Sequence, residues 1–224
     1  MKKLLMCLML LTCSSAAYAQ ENASLAFVSE FVRELDAIEK IRSVGEQELK
    51  ENGGNSIAGS IRNSTRVQLE LGTSIEMLKG IRLKPPTDWL PQQIIAIYKQ
   101  KIDIHQALID IASQFTATQP KPGVDYGKLS AEMPKITASL EFIDETLYKA
   151  VPVVFGSLID MRPDSQGHAS HLVITKAERQ KLIHDIKSSF GSKLREKNQN
   201  YIVGSASVLL AYLQKDFKCS DEPW

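Results

Sequence analysis

Two aspartates and two histidines fall within one stretch of twelve residues, DMRPDSQGHASH: Asp160, Asp164, His168 and His171. Carboxylate and imidazole are the ligand types that hold Zn²⁺ and other divalent transition metals. Asp164, His168 and His171 would give three ligands and leave one position open, as a catalytic site does. The spacing matches no zinc motif, and Pro163 and Gly167 interrupt the backbone between the ligands. A loop that must order itself on binding holds a metal weakly. The competing reading is a solvated turn in which Asp164 and Ser165 bond to local backbone. No cofactor is predicted, and a divalent transition metal at this loop is the alternative.

Three other places carry reactive or charged side chains. His105 lies on the apolar side of a long helical pattern. A buried neutral imidazole with one or two hydrogen-bond partners is the ordinary explanation, and a ligand site inside a bundle is the sharper one. Arg62 and Arg66 stand one helical turn apart and could clamp an anion. Arg66 also has Glu70 four residues on, the spacing of a surface ion pair. Cys219 is the one cysteine outside the first nineteen residues. It forms no internal disulfide, so it is a free thiol or pairs between chains.

The known catalytic signatures are missing. No Cys-x-x-Cys-His, His-Glu-x-x-His or Gly-x-Ser-x-Gly occurs, and no pair of Glu-x-x-His segments occurs to build a di-iron site. Gly54 and Gly59 have the spacing of a phosphate loop, but Ser60 follows where lysine is required. An enzyme would need a serine brought to His168 or His184 by the fold.

The elements that would position these residues are helical. Residues 94–115 hold no glycine or proline. Their polar side chains Lys99, Asp103, Gln106, Asp110 and Gln114 form a narrow stripe. Ile94, Tyr98, Ile102, Leu108, Ile109, Ala112 and Phe115 cover the opposite side. One wet stripe predicts a central helix, about residues 88–117, buried among neighbours. Thr87 or Asp88 is expected to cap it, with Pro91 in the first turn. Residues 24–52 read as a helix with Leu25, Val28, Phe31, Val32, Leu35 and Ile38 inward, and Glu30, Arg33, Glu34, Lys40 and Glu46 largely wet. Residues 56–83 read as the next, with a polar layer at Ser64 and Gln68 that calls for local hydrogen bonds.

Residues 130–159 form a fourth helical pattern with Pro152 inside it. The β-branched run Val151–Phe155 leaves a short strand paired with residues 172–174 as the minority reading. Thr175-x-x-Glu178 is a capping box that opens a fifth helix. Residues 199–217 make a sixth, where Gly204, Ala206 and Ser207 allow close packing. The result is an all-α, single-domain bundle of about six amphipathic helices spanning residues 20–224.

Residues 1–19 read as a signal peptide: Lys2 and Lys3, a short apolar run, then Ala17-Tyr18-Ala19 as the cleavage site. The short basic start is of bacterial type, so the destination is the periplasm or the outside. Lipidation at Cys13 is the alternative, which would anchor the chain to a membrane. The whole chain has Lys+Arg 27 and Asp+Glu 26, and cleavage removes Lys2 and Lys3 and no acid, which leaves a net charge of −1. Such a chain has no electrostatic case for nucleic acid or an anionic membrane. No later apolar run reaches membrane length.

The leading reading is an exported structural or protein-interaction module, with a protein partner or self-association. The alternative is a periplasmic protein that binds a small ligand or metal, through the Asp164/His168/His171 loop or the bundle interior. A hydrolase-like enzyme stands third. The mature protein is expected to begin at Gln20. Mass spectrometry of the exported form should find that terminus, and a diacylated or triacylated Cys13 would overturn it.

Overall fold

Breaks in the sequence at Gly53-Gly54, at Pro85-Pro86 and at Pro120-Lys121-Pro122 divide the chain into helical segments. In the structure, a computed structural model, residues 2–51, 57–83, 85–116, 123–159, 174–197, 199–214 and 219 are described, with the backbone alone for 2–22, 49 and 159. Among them are six α-helices and no strand: α1 (Lys2–Glu51), α2 (Ile57–Gly80), α3 (Leu90–Phe115), α4 (Tyr126–Ile159), α5 (Lys176–Phe190) and α6 (Tyr201–Gln214).

The helices close into a ring. α1 packs on α2, α2 on α3, α3 on α4, α4 on α6, and α6 back on α1, while α5 lies against α1 and α6. The core fills the ring with Phe27, Phe31, Leu35, Leu71, Leu90, Ile94, Phe155 and Leu209, each no more than 2% exposed. Phe31 of α1 meets Phe155 of α4 edge to face, with ring centroids 5.5 Å apart. At Gly204 the backbone of α6 runs under the ring of Tyr148, whose Cε2 would lie 3.0 Å from an added Cβ. A side chain there would have to displace that ring.

α3 carries the expected exposed stripe of Lys99, Asp103, Gln106 and Asp110. Leu90, Ile94, Ile95, Tyr98 and Ala112 are buried on it, whereas Ile102, Leu108, Ile109 and Phe115 are half-buried. The more enclosed helix is α1, whose exposed residues between positions 26 and 40 are Ala26, Ser29, Arg33 and Lys40 alone. That corrects the placement of Glu30 and Glu34 on its wet side, since both are buried, at 5% and 1% exposed. α1 also continues back to Lys2 instead of starting near Ser24, and residues 20–24 hold no proline or glycine to stop it.

Local signals mostly hold. Thr175 caps α5 through a complete capping box with Glu178. Gly191 ends α5 at φ +47°, a conformation that favours glycine, and a 3₁₀ turn over Gly191–Arg195 follows, which the sequence pattern did not indicate. Asn200 caps α6 with its side-chain oxygen, which accepts from the N–H groups of Ile202 and Val203 at 2.9 and 3.0 Å. Residues 151–155 belong to α4 and not to a strand, because Val151, Val154 and Phe155 bury against the core at helical spacing. The start of α3 differs as well. Trp89 occupies the cap position without a side-chain bond, and the N–H of Leu90 reaches the carbonyl of Thr87 instead.

Ile94→Asp should prevent folding. Ile94 is 1% exposed, and an unpaired carboxylate there costs at least several kcal/mol against a total of ~5–15. Asp110→Ala on the exposed stripe should change stability by roughly 0.5 kcal/mol or less. Similar urea midpoints for the two variants would show that these faces are assigned wrongly.

Candidate functional site

The inside of the ring is partly polar. Lys101 projects inward from α3, 3% exposed, and donates to Asp144 of α4. One turn earlier, Tyr98 donates its hydroxyl to Glu34 of α1 at 2.8 Å. One turn later, His105 Nδ1 lies 3.2 Å from Ser64 Oγ of α2. Residues 98, 101 and 105 share one face of α3, because steps of three and four return to the same side of a helix. So α3 presents a phenol, an ammonium and an imidazole in a row to three different neighbours.

Two further clusters surround this row. Arg33 binds Glu30 at 2.7 and 2.8 Å, Ser74 at 2.9 Å, and Glu70. Glu39, 3% exposed, accepts from Arg42 at 2.9 Å and from Lys193 at 2.6 Å. Burial alone would raise the Glu39 pKa, but the bonds from Arg42 and Lys193 outweigh it and hold the carboxyl below its ordinary value.

Next to the row is a cavity of about 280 Å³, to which all five helices of the ring contribute. Ile38, Ile41, Val67, Leu140 and Ile202 form its apolar walls. Ser64, His105, Lys101 and Asp144 form a polar side. Arg42 and Glu46 also line it and are 37% and 49% exposed, so the cavity reaches solvent beside them. Gly45 lines it too, where an added Cβ would run into the side chain of Asn63. Glycine there lets α2 carry that amide close against α1.

Of the residues singled out by sequence, His105 lies in this cavity. Arg62 and Arg66 do converge, but on Glu48, at 3.1 and 3.5 Å. Glu70, the expected partner of Arg66, is bonded to Arg33. Cys219 is buried and forms no disulfide, and His184 is exposed on α5. Asp160, Asp164, His168 and His171 lie outside the described residues. Among the described residues, no group of three or more His, Cys, Asp and Glu could hold a metal ion. Sequence reasoning missed Lys101 and Asp144, although the spacing of Lys101 from Tyr98 and His105 was a usable signal.

Ser64 and His105 are close enough for a nucleophile and its base. Burial, helped by the charge of Lys101, lowers the His105 pKa to about 4, which makes it a poor base at neutral pH. No described residue hydrogen-bonds Nε2 to orient the ring as a third catalytic member would. The geometry suits binding better than acyl transfer. No protein-family model, curated protein or solved structure matches the chain.

Two groups here make opposed pH demands. Burial pushes the Glu34 carboxyl up to about 7, against the pull of Lys101 and the Tyr98 hydroxyl. The folded state therefore keeps that proton longer than the unfolded chain does. Its contribution is full below about pH 4.5 and is lost as pH rises through about 7. His105 is the reverse: its contribution is full above about pH 6.5 and is lost as pH falls through about 4. Between pH 4.5 and 6.5 the two slopes oppose. Relative to wild type, Glu34→Gln should make stability rise more steeply with pH in that window, and His105→Gln should make it fall. Urea midpoints at fixed ionic strength measure both, and parallel curves for all three proteins would overturn the assignment.

Proposed function

We propose that this chain is an exported binding protein that seats a small, mainly apolar molecule among the helices of its bundle. The carrying observation is the cavity of about 280 Å³ bounded by α1, α2, α3, α4 and α6. A cavity of about 150 Å³ lined by aliphatic side chains already takes up benzene. Apolar walls with a few convergent polar groups are the general form of a small-molecule site. The signal-like start of the sequence supports export to the periplasm, and none of the described helices is long and apolar enough to cross a membrane.

The test uses a filling substitution at the wall. Saturating toluene should raise the melting temperature of the wild type and leave Leu140→Trp unmoved, with circular dichroism confirming that both are folded. Binding at a hundred times Kd would stabilise by about 2.7 kcal/mol. No shift in the wild type would overturn the ligand-binding reading.

A protein-interaction role is the second reading. Phe142 and Val153 are 67% and 58% exposed, and their spacing of eleven residues puts them on one face of α4. Aromatic side chains such as Phe142 are enriched at protein–protein interfaces. Light scattering that showed a dimer, dispersed by Phe142→Glu, would favour it.

A further inference from the structure

We propose that the molecule seated in this cavity is uncharged and carries a hydroxyl group, which hydrogen-bonds Nε2 of His105. This deepens the ligand-binding reading above and rests on it.

The charges at the cavity are already matched. Lys101 is bonded to Asp144, and Arg42 to Glu39 and Glu46. A charged ligand would have to displace one of these partners. Taking Asp144 from Lys101 would leave a buried charge without compensation, an expensive change in a low-dielectric interior. Neither an acid nor an amine finds a free counter-ion among the groups that line the cavity.

The imidazole is different. His105 is 8% exposed, its Nδ1 faces Ser64, and no described residue hydrogen-bonds Nε2. Among the described residues no buried side-chain nitrogen or oxygen lacks a partner, and the imidazole lines the cavity. Burial keeps the ring neutral at physiological pH. A neutral imidazole has one nitrogen that donates and one that accepts. If Ser64 donates to Nδ1, then Nε2–H donates into the cavity; if Nδ1–H donates to Ser64, then Nε2 accepts. A hydroxyl can both donate and accept, so it satisfies either tautomer. A carbonyl satisfies only one of them. The rest of the ligand meets Ile38, Ile41, Val67, Leu140 and Ile202, and so must be hydrocarbon.

Calorimetry at pH 7 on the full mature chain can separate the outcomes with four single-ring probes: toluene, p-cresol, benzoate and benzylamine. p-Cresol should bind about tenfold tighter than toluene, because it pairs a nitrogen that toluene leaves bare. Benzoate and benzylamine should bind more weakly than toluene. His105→Leu should erase the preference for p-cresol over toluene. Equal binding of toluene and p-cresol by the wild type would overturn this inference and leave the ligand-binding reading standing. Tightest binding of benzoate or benzylamine would overturn it as well. Binding of none of the four would remove both. If His105→Leu does not fold, the ¹⁵N resonance of His105 Nε2 in the wild type decides: it should move with p-cresol and not with toluene, and an unmoved resonance would overturn the inference.

Discussion

An ammonium group inside a helical bundle constrains everything around it. Lys101 is buried at the middle of α3, 3% exposed, and an unpaired charge in such a place would cost several kcal/mol. Asp144 must therefore be delivered to it by α4, which fixes how α4 sits along α3. The same face of α3 carries Tyr98, whose hydroxyl needs an acceptor, and α1 supplies Glu34. It also carries His105, which α2 meets with Ser64. Apolar contacts tolerate sliding of one helix past another. These three pairs do not, because a shift of one residue would break each of them. The polar row thus sets the register of α1, α2 and α4 about α3, and the hydrophobic core sets how tightly they close.

α1 shows the same logic from the other side. It is enclosed by α2, α5 and α6 and holds three buried glutamates, Glu30, Glu34 and Glu39. Each is answered differently. Glu30 is held by Arg33 on its own helix. Glu39 is held by Arg42 on its own helix and by Lys193, just before α6. Glu34 receives the Tyr98 hydroxyl, with the positive charge of Lys101 near it, and burial keeps it reluctant to ionise. Local and distant partners are combined along the helix. The distant ones join α1 to α3 and to the segment ahead of α6, elements that hydrophobic contact alone would leave free to rotate.

This division explains what could be read from the sequence. Helical periods, the Thr175 capping box and the six-helix bundle follow from local pattern, and they are present. His105 and Ser64 could each be placed on an inward face because helix periodicity is short-ranged. Their pairing joins positions 41 residues apart, and no spacing rule reaches that far. The helical period alone puts Glu30 and Glu34 beside the inward apolar row, and carboxylates are rarely buried unless paired. Their partners Arg33 and Tyr98 are visible as residues, but that Tyr98 faces Glu34 is a fact of the tertiary fold. Lys101 escaped notice for the same reason, since Asp144 is 43 residues away. The cavity belongs to five helices at once, and no single stretch of sequence contains it.

The position of that cavity follows from the polar row. Large aliphatic side chains fill the ring around Tyr98, where Leu71, Leu90 and Ile94 are fully buried. Beyond Lys101 the burial of α3 weakens: Ile102, Leu108 and Ile109 are only half-covered, and the space at His105 is not filled. A buried ion pair can often be replaced by well-packed hydrophobic residues with no loss of stability, or with a gain. A larger side chain than Val67 or Leu140 would close much of the void. Stability alone therefore favours neither Lys101–Asp144 nor the open space beside it. Departures from the best-packed solution are concentrated where proteins carry function. Here the ion pair, the imidazole and the unfilled volume coincide, while around the buried Tyr98–Glu34 pair large aliphatic side chains are fully buried.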